Sequence, residues 1–108
     1  GFASAQYNLG MMYYHGQGVR QDYKEAIKLI QLASEQGDRY AQNNLGIMRV
    51  TGKGALIDLV LAYMWFSLAA AQSSEAAQNR DSVATQMTSG QIAEAQSLAR
   101  EHTASAQP

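Results

Sequence analysis

Apolar residues recur along the chain at three- and four-residue spacing, in blocks broken by glycine. Ala5, Leu9, Met12 and Tyr13 share one face of a helix predicted over 3–15, which Gly16-Gln17-Gly18 ends. Asp22 with Glu25 three residues on is a capping box for a second helix, which runs to Gln36. Its apolar positions are Ala26, Leu29, Ile30, Leu32 and Ala33, and Gly37 supplies the left-handed position that follows. Asp38 caps a third helix over 39–51, closed by Gly52-Lys53-Gly54, and Asp58 caps a fourth over 59–72. The fourth reads LVLAYMWFSLAAAQ and is apolar nearly all round, so it has to be covered on more than one side. Ser73-Ser74 opens a helix over 75–87. Thr88 and Gln91 form a further capping box before a helix over 89–102, which carries Ile92, Ala95, Leu98 and Ala99 on one face. The tail from His102 onward is expected to fray. No strand pattern, linker or low-complexity stretch interrupts this order.

The blocks are copies of one another. Shifted by 36 positions, the chain matches itself at 14 of 36 residues, among them Leu9-Gly10 on Leu45-Gly46, Met12 on Met48 and Asp22 on Asp58. Eight of the nine glycines form four of these pairs, which marks recurring backbone geometry. A third copy starts with Ala77-Gln78 and then fails, as terminal units of repeat arrays do. The organisation read from this is a unit at 1–36, a unit at 37–72, and capping helices with a frayed tail at 73–108. The whole is one continuous all-α domain. Gly10 and Gly46 are expected to let paired helices approach closely, with Ala26 and Ala62 opposite.

Composition narrows the function classes. Eight Lys and Arg face nine Asp and Glu, for a net charge of -1, without the basic stripe that nucleic acid rewards. There is no Cys, which removes disulfides, thiolate metal sites and a Cys nucleophile. The longest apolar run, 59–66, is far shorter than the roughly 20 residues that cross a bilayer. The opening residues carry no basic segment leading into an apolar stretch and already stand at a repeat boundary. A processed or excised chain is therefore expected, with its compartment left open.

The run Ala-Gln-x-x-Leu-Gly-x-Met-Tyr-x-x-Gly-x-Gly-Val-x-x-Asp, followed by Ala26, Ala33 and Gln36-Gly37, resembles the Sel1-like repeat. It is carried by Ala5, Gln6, Leu9, Gly10, Met12, Tyr13, Gly16, Gly18, Val19 and Asp22. Ala41, Leu45, Gly46, Gly52, Gly54, Asp58, Ala62, Trp65, Ala69 and Ala70 carry it again. The second unit departs at Arg49, where Tyr is usual, and at Ala55, where Val is usual. Met87-Thr88 before Gln91-Ile92 looks like the helix pair that closes many bacterial proteins of this family. The resemblance implies an α/α solenoid of antiparallel helix pairs, related to tetratricopeptide repeats. It also implies a scaffold that binds a partner protein or peptide on its concave face, with no cofactor and no catalysis.

In the related tetratricopeptide layout the first helix of each pair lines that face. Aligned on Leu9-Gly10, the resemblance points to Ser4, Tyr7, Met11, Tyr14 and His15 in the first unit. In the second it points to Tyr40, Asn43, Ile47, Val50 and Thr51, and in the third to Asn79, Val83 and Gln86. Tyr7 and Tyr14 are the expected anchors, and Asn43 and Asn44 the polar selectors. Met11 and Ile47 fit inter-repeat packing as well as an exposed face. Self-association, or packing on further N-terminal repeats, is the competing use of the surface.

Other chemistry finds little support. His15 and His102 lie at opposite ends of the array with no second ligand at helical spacing. Gly16-Gln17-Gly18 follows a helix, not a strand, and has Gln21 where a third phosphate-loop glycine belongs. Some bacterial relatives carry a β-lactamase or penicillin-binding label, but no serine here begins Ser-x-x-Lys: Ser4 precedes Tyr7, Ser34 precedes Gly37, Ser67 precedes Ala70. Asp22/Glu25 recurs as Asp58, which suits a cap better than a catalytic pair. Arg20, Lys24 and Lys28 form a small cluster offset by Asp22 and Glu25, a solvated face with i,i+4 pairing. The last helix lacks the aromatics and basic face of a membrane-surface helix.

Overall fold

The computed structural model describes residues 1–106. Among them are six helices and no strand: α1 (Phe2–His15), α2 (Tyr23–Glu35), α3 (Arg39–Thr51), α4 (Leu59–Ala70), α5 (Ser74–Ala84) and α6 (Ser89–Ala106). No helix of these residues is long and apolar enough to cross a membrane.

Local chemistry sets the boundaries. Asp22 accepts from the amides of Lys24 and Glu25, Asp38 from Ala41, Asp58 from Leu61 and Ser73 from Ala76. Each satisfies an amide that the first helical turn leaves unpaired. Gly16 and Gly52 end α1 and α3 at φ 70° and 79°, where a side chain would be strained. The Thr88–Gln91 box is reciprocal: the Thr88 amide donates to Gln91 Oε1 at 2.9 Å and the Gln91 amide to Thr88 Oγ1 at 3.1 Å. The Asp22–Glu25 box is only half made. The Asp22 amide donates to the Tyr13 carbonyl, so Glu25 has no free amide to receive. Asp58 repeats this with the Arg49 carbonyl, 36 residues on, which pins the second helix of each pair to the end of the first.

Paired helices run antiparallel. Gln6 meets Gln36, and the Gly10 backbone meets Ile30, along the α1–α2 seam. At Gly10 the Ala26 backbone lies opposite as expected, with Ile30 closer still, whereas at Gly46 the space is filled by Phe66, one turn beyond the expected Ala62. A Cβ at Gly10 would stand 2.7 Å from Ile30 Cγ1, and one at Gly46 would run into the Phe66 ring.

The core has two centres. Ile30 and Ala33 of α2 pack with Ala41, Leu45 and Met48 of α3 and with Met64 and Trp65 of α4. Ala62, Tyr63 and Phe66 of α4 pack with Val83 of α5 and Ala95 of α6. Helix α4 thus serves both, which is why it is apolar on every side. Each large apolar side chain buried there contributes about 1.5–3 kcal/mol. Buried polar groups are paired: Ser34 Oγ donates to the Ile30 carbonyl at 2.8 Å, and Gln42 Nε2 to the Ser34 carbonyl at 3.1 Å.

Three expectations change. Helix α5 is turned about its axis relative to α3. Asp81 occupies the register of Leu45 and stays in solvent, while Ala76 and Val83 are buried instead. Both α5 and α6 then lean on α4. Helix α6 does not fray at His102 but continues to Ala106. The His102 ring packs edge-on to Trp65 at 5.4 Å, and Thr103 Oγ1 donates to the Ala99 carbonyl. Of the tail expected to fray, Gln107 and Pro108 lie outside the described residues. Finally, the one ion pair among the described residues is Arg80–Asp81. The pairing expected around Arg20, Lys24 and Lys28 is not made, since exposed pairs gain too little to order long side chains.

Candidate functional site

Positions 36 and 37 residues apart meet in space. Asn79 Nδ2 donates to Asn43 Oδ1 at 3.0 Å, joining α5 to α3. Asn44 Nδ2 donates to the Tyr7 hydroxyl at 2.8 Å and to the Tyr40 carbonyl at 2.9 Å, joining α3 to α1. Both amide hydrogens of Asn44 are therefore in use. The Tyr7 and Tyr40 rings lie 6.3 Å apart. Burial pushes the Tyr7 hydroxyl above the usual tyrosine pKa, the Asp38 carboxylate adds to this, and the Asn44 hydrogen bond works against it.

Between α3 and α5 runs a groove of about 140 Å³, lined by Ile47, Val50, Thr51, Phe66, Asn79, Ser82, Val83 and Gln86. None of the eight is titratable. Phe66 and the buried Val83 give it an apolar floor, and Thr51, Asn79, Ser82 and Gln86 give it a neutral polar rim. Six of these eight residues are ones to which the tetratricopeptide-like layout implied by the resemblance points. Phe66 comes from the second helix of its pair, and Ser82 from the turned α5. The signal for Ser82 is Asp81 at a core register, which forbids α5 from packing as α3 does.

The first-unit residues are not in this groove. Tyr7, Met11 and Tyr14 are half-buried and pack against the first core centre. Tyr14 also contacts Tyr23 at 5.1 Å and the exposed His15 at 5.0 Å, at the end of α1. Tyr40 is 56% exposed, with the Arg39 guanidinium 4.9 Å from its ring centre. Asn43 is corrected. It is 7% exposed and its carbonyl oxygen is held by Asn79, so it ties repeats together instead of facing solvent as a polar selector. Asn44 likewise serves the α1–α3 seam. Among the described residues no three His, Asp or Glu side chains gather where they could hold a metal ion.

The Sel1 repeat model matches residues 3–38 and 39–74, two thirds of the chain. A protective antigen present in uropathogenic Escherichia coli strains, displaying an SLR fold, superposes with a TM-score of 0.88 at 31% identity, over 93% of this chain and 22% of that one. A Sel1 repeat protein from Oxalobacter formigenes superposes with a TM-score of 0.73 at 31% identity, over 93% of this chain and 43% of that one. The chain thus spans less than half the length of either neighbour. Both are bacterial, which suggests a bacterial origin here. No curated protein matches the sequence significantly. Two tandem matches, on an all-α solenoid whose glycines and caps recur in register, make this chain a member of the Sel1 repeat family, whose members are generally non-catalytic protein-interaction modules.

Proposed function

We propose that the chain is a non-catalytic scaffold that binds a partner protein or peptide on the concave face of its solenoid, in the groove between α3 and α5. The supporting observation is the lining of that groove. Ile47, Val50 and Thr51 of the second unit face Asn79, Val83 and Gln86 of the third, over an apolar floor and with no charge. Such a cleft takes an uncharged aliphatic or aromatic side chain, while the neutral rim offers hydrogen bonds to the backbone that carries it. Tyr40 and Arg39 stand further along the first helices as a second, exposed contact. Units 1–36 and 37–72 supply the array in this reading, and α5 and α6 close it.

The test is selection of binders from a displayed random peptide library, with the full chain as bait. Enriched peptides should share an apolar residue. Their affinity should fall at least about tenfold with Val50→Glu, because a charge in an apolar cleft stays unpaired. Leu32→Glu, on the far side, should leave affinity unchanged. Peptides that bind Val50→Glu and the parent equally would place the interface elsewhere.

A further inference from the structure

The repeat supplies an internal control that marks a second surface. Ala5, Leu9 and Met12 of α1 are matched 36 residues later by Ala41, Leu45 and Met48 of α3, identical in type. Leu45 and Met48 are 3% and 2% exposed, in one cluster with Ile30 and Ala33 of the preceding unit, Ile27 alongside, and Met64 and Trp65 of their own. Leu9 and Met12 are 40% and 37% exposed, and Ala5 is exposed too. Same residues, same helix face, same register: the difference is the neighbour. The opposite end of the array is closed. Tyr63, Phe66 and Ala69, which repeat Ile27, Ile30 and Ala33, are buried, with α5 and α6 packed on their helix. A second copy stacked head to tail would therefore have no matching surface to offer.

We propose that the Ala5–Leu9–Met12 face of α1 is one half of a repeat–repeat interface, and that its occupant is a further helix hairpin of this same kind, stacked ahead of α1. The second helix of that hairpin presents apolar residues spaced as Ile27, Ile30 and Ala33 are, because the existing α2–α3 seam is the template. This is independent of the groove reading.

The test extends the full chain at its N-terminus by an in-register copy of residues 1–36. That copy carries Leu9→Gln and Met12→Lys, so that the new outer face is polar and its peptides are distinguishable by mass. The extended chain should melt higher by more than about 5 °C. Oxidation of the original Met12 by hydrogen peroxide should slow at least about tenfold, since exposure governs the attack. Adding Leu9→Glu at the original position should remove both gains. In the unextended chain, Leu9→Gln with Met12→Lys should leave the melting temperature within about 2 °C, whereas Leu45→Gln should lower it strongly. An extended chain with unchanged melting and unchanged Met12 oxidation would overturn the proposal. So would an unextended chain that dimerises and thereby protects Met12, which would make a second copy the occupant.

Discussion

The ring of Phe66 lies over Gly46 so closely that a Cβ there would overlap it. Phe66 is fully buried in the second core centre and floors the α3–α5 groove, so the ring can yield only by moving into that groove. Gly46→Ala should therefore lower stability by about 1–2 kcal/mol net. Overpacking costs about 1–3 kcal/mol, and alanine's better helix propensity returns only part of that. Gly10→Ala should cost less, because its closest approach, 2.7 Å to Ile30 Cγ1, is a milder overlap than that with the Phe66 ring, although β-branched Ile30 is fully buried and has little freedom to turn aside. Thermal melts of the two variants check both the sign and the order.

If Asp22 and Asp58 act as caps, each substituted by Ala should lose about 1 kcal/mol, and the two losses should be similar. Each is an N-cap whose amide is tied to the preceding helix, at Tyr13 and Arg49, and that bond survives the substitution. A loss at one site without the other would show that the repeated geometry does not carry repeated energetics.

Tyr7 should make the fold sensitive to alkali. Its pKa in the folded chain is raised above the unfolded value, so the folded state holds the proton more tightly. The stability this contributes is complete below the unfolded tyrosine pKa near 10 and is lost as pH rises through the folded value. Melting temperature should fall over that window, and more steeply in the parent than in Tyr7→Phe. Titration followed at the phenolate absorbance should lose a late component in that variant. At neutral pH Tyr7→Phe should cost about 0.5–1.5 kcal/mol, the value of the Asn44 hydrogen bond.

The single tryptophan reports on α6. Trp65 is buried beneath His102, with Leu98 and Ala99 packed against the same core. His102→Ala should cost about 0.5–1.5 kcal/mol, the range of such ring pairs, and shift Trp65 emission to the red as water enters. Ending the chain after Arg100 should enlarge both effects. Unchanged emission would mean that α6 does not cover Trp65 in solution.

The helices were legible because their ends are written locally. A capping side chain and the amide it receives are two or three residues apart, and a glycine that stops a helix needs no distant partner. The 36-residue self-match likewise revealed tandem units, and the tetratricopeptide-like layout that the family resemblance implies pointed to six of the eight groove residues. The errors all concern neighbours. Asn43 read as exposed because the tetratricopeptide-like layout puts its position on the open face, yet Asn79 donates to it and it is buried. The end of α6 read as frayed because its last turns are polar, yet His102 has Trp65 to pack on.

By itself, then, the sequence determined the repeat, the six helices, their caps and the all-α class. These depend on periodicity and on hydrogen bonds within a few residues. Only the tertiary structure decided that Phe66 and not Ala62 fills the space at Gly46, that α5 turns to keep Asp81 in water, and that α6 lies on α4. It alone decided that Leu45 is buried while the identical Leu9 is not. Burial is a property of what packs against a residue, and two residues of the same type in the same register differ only in that.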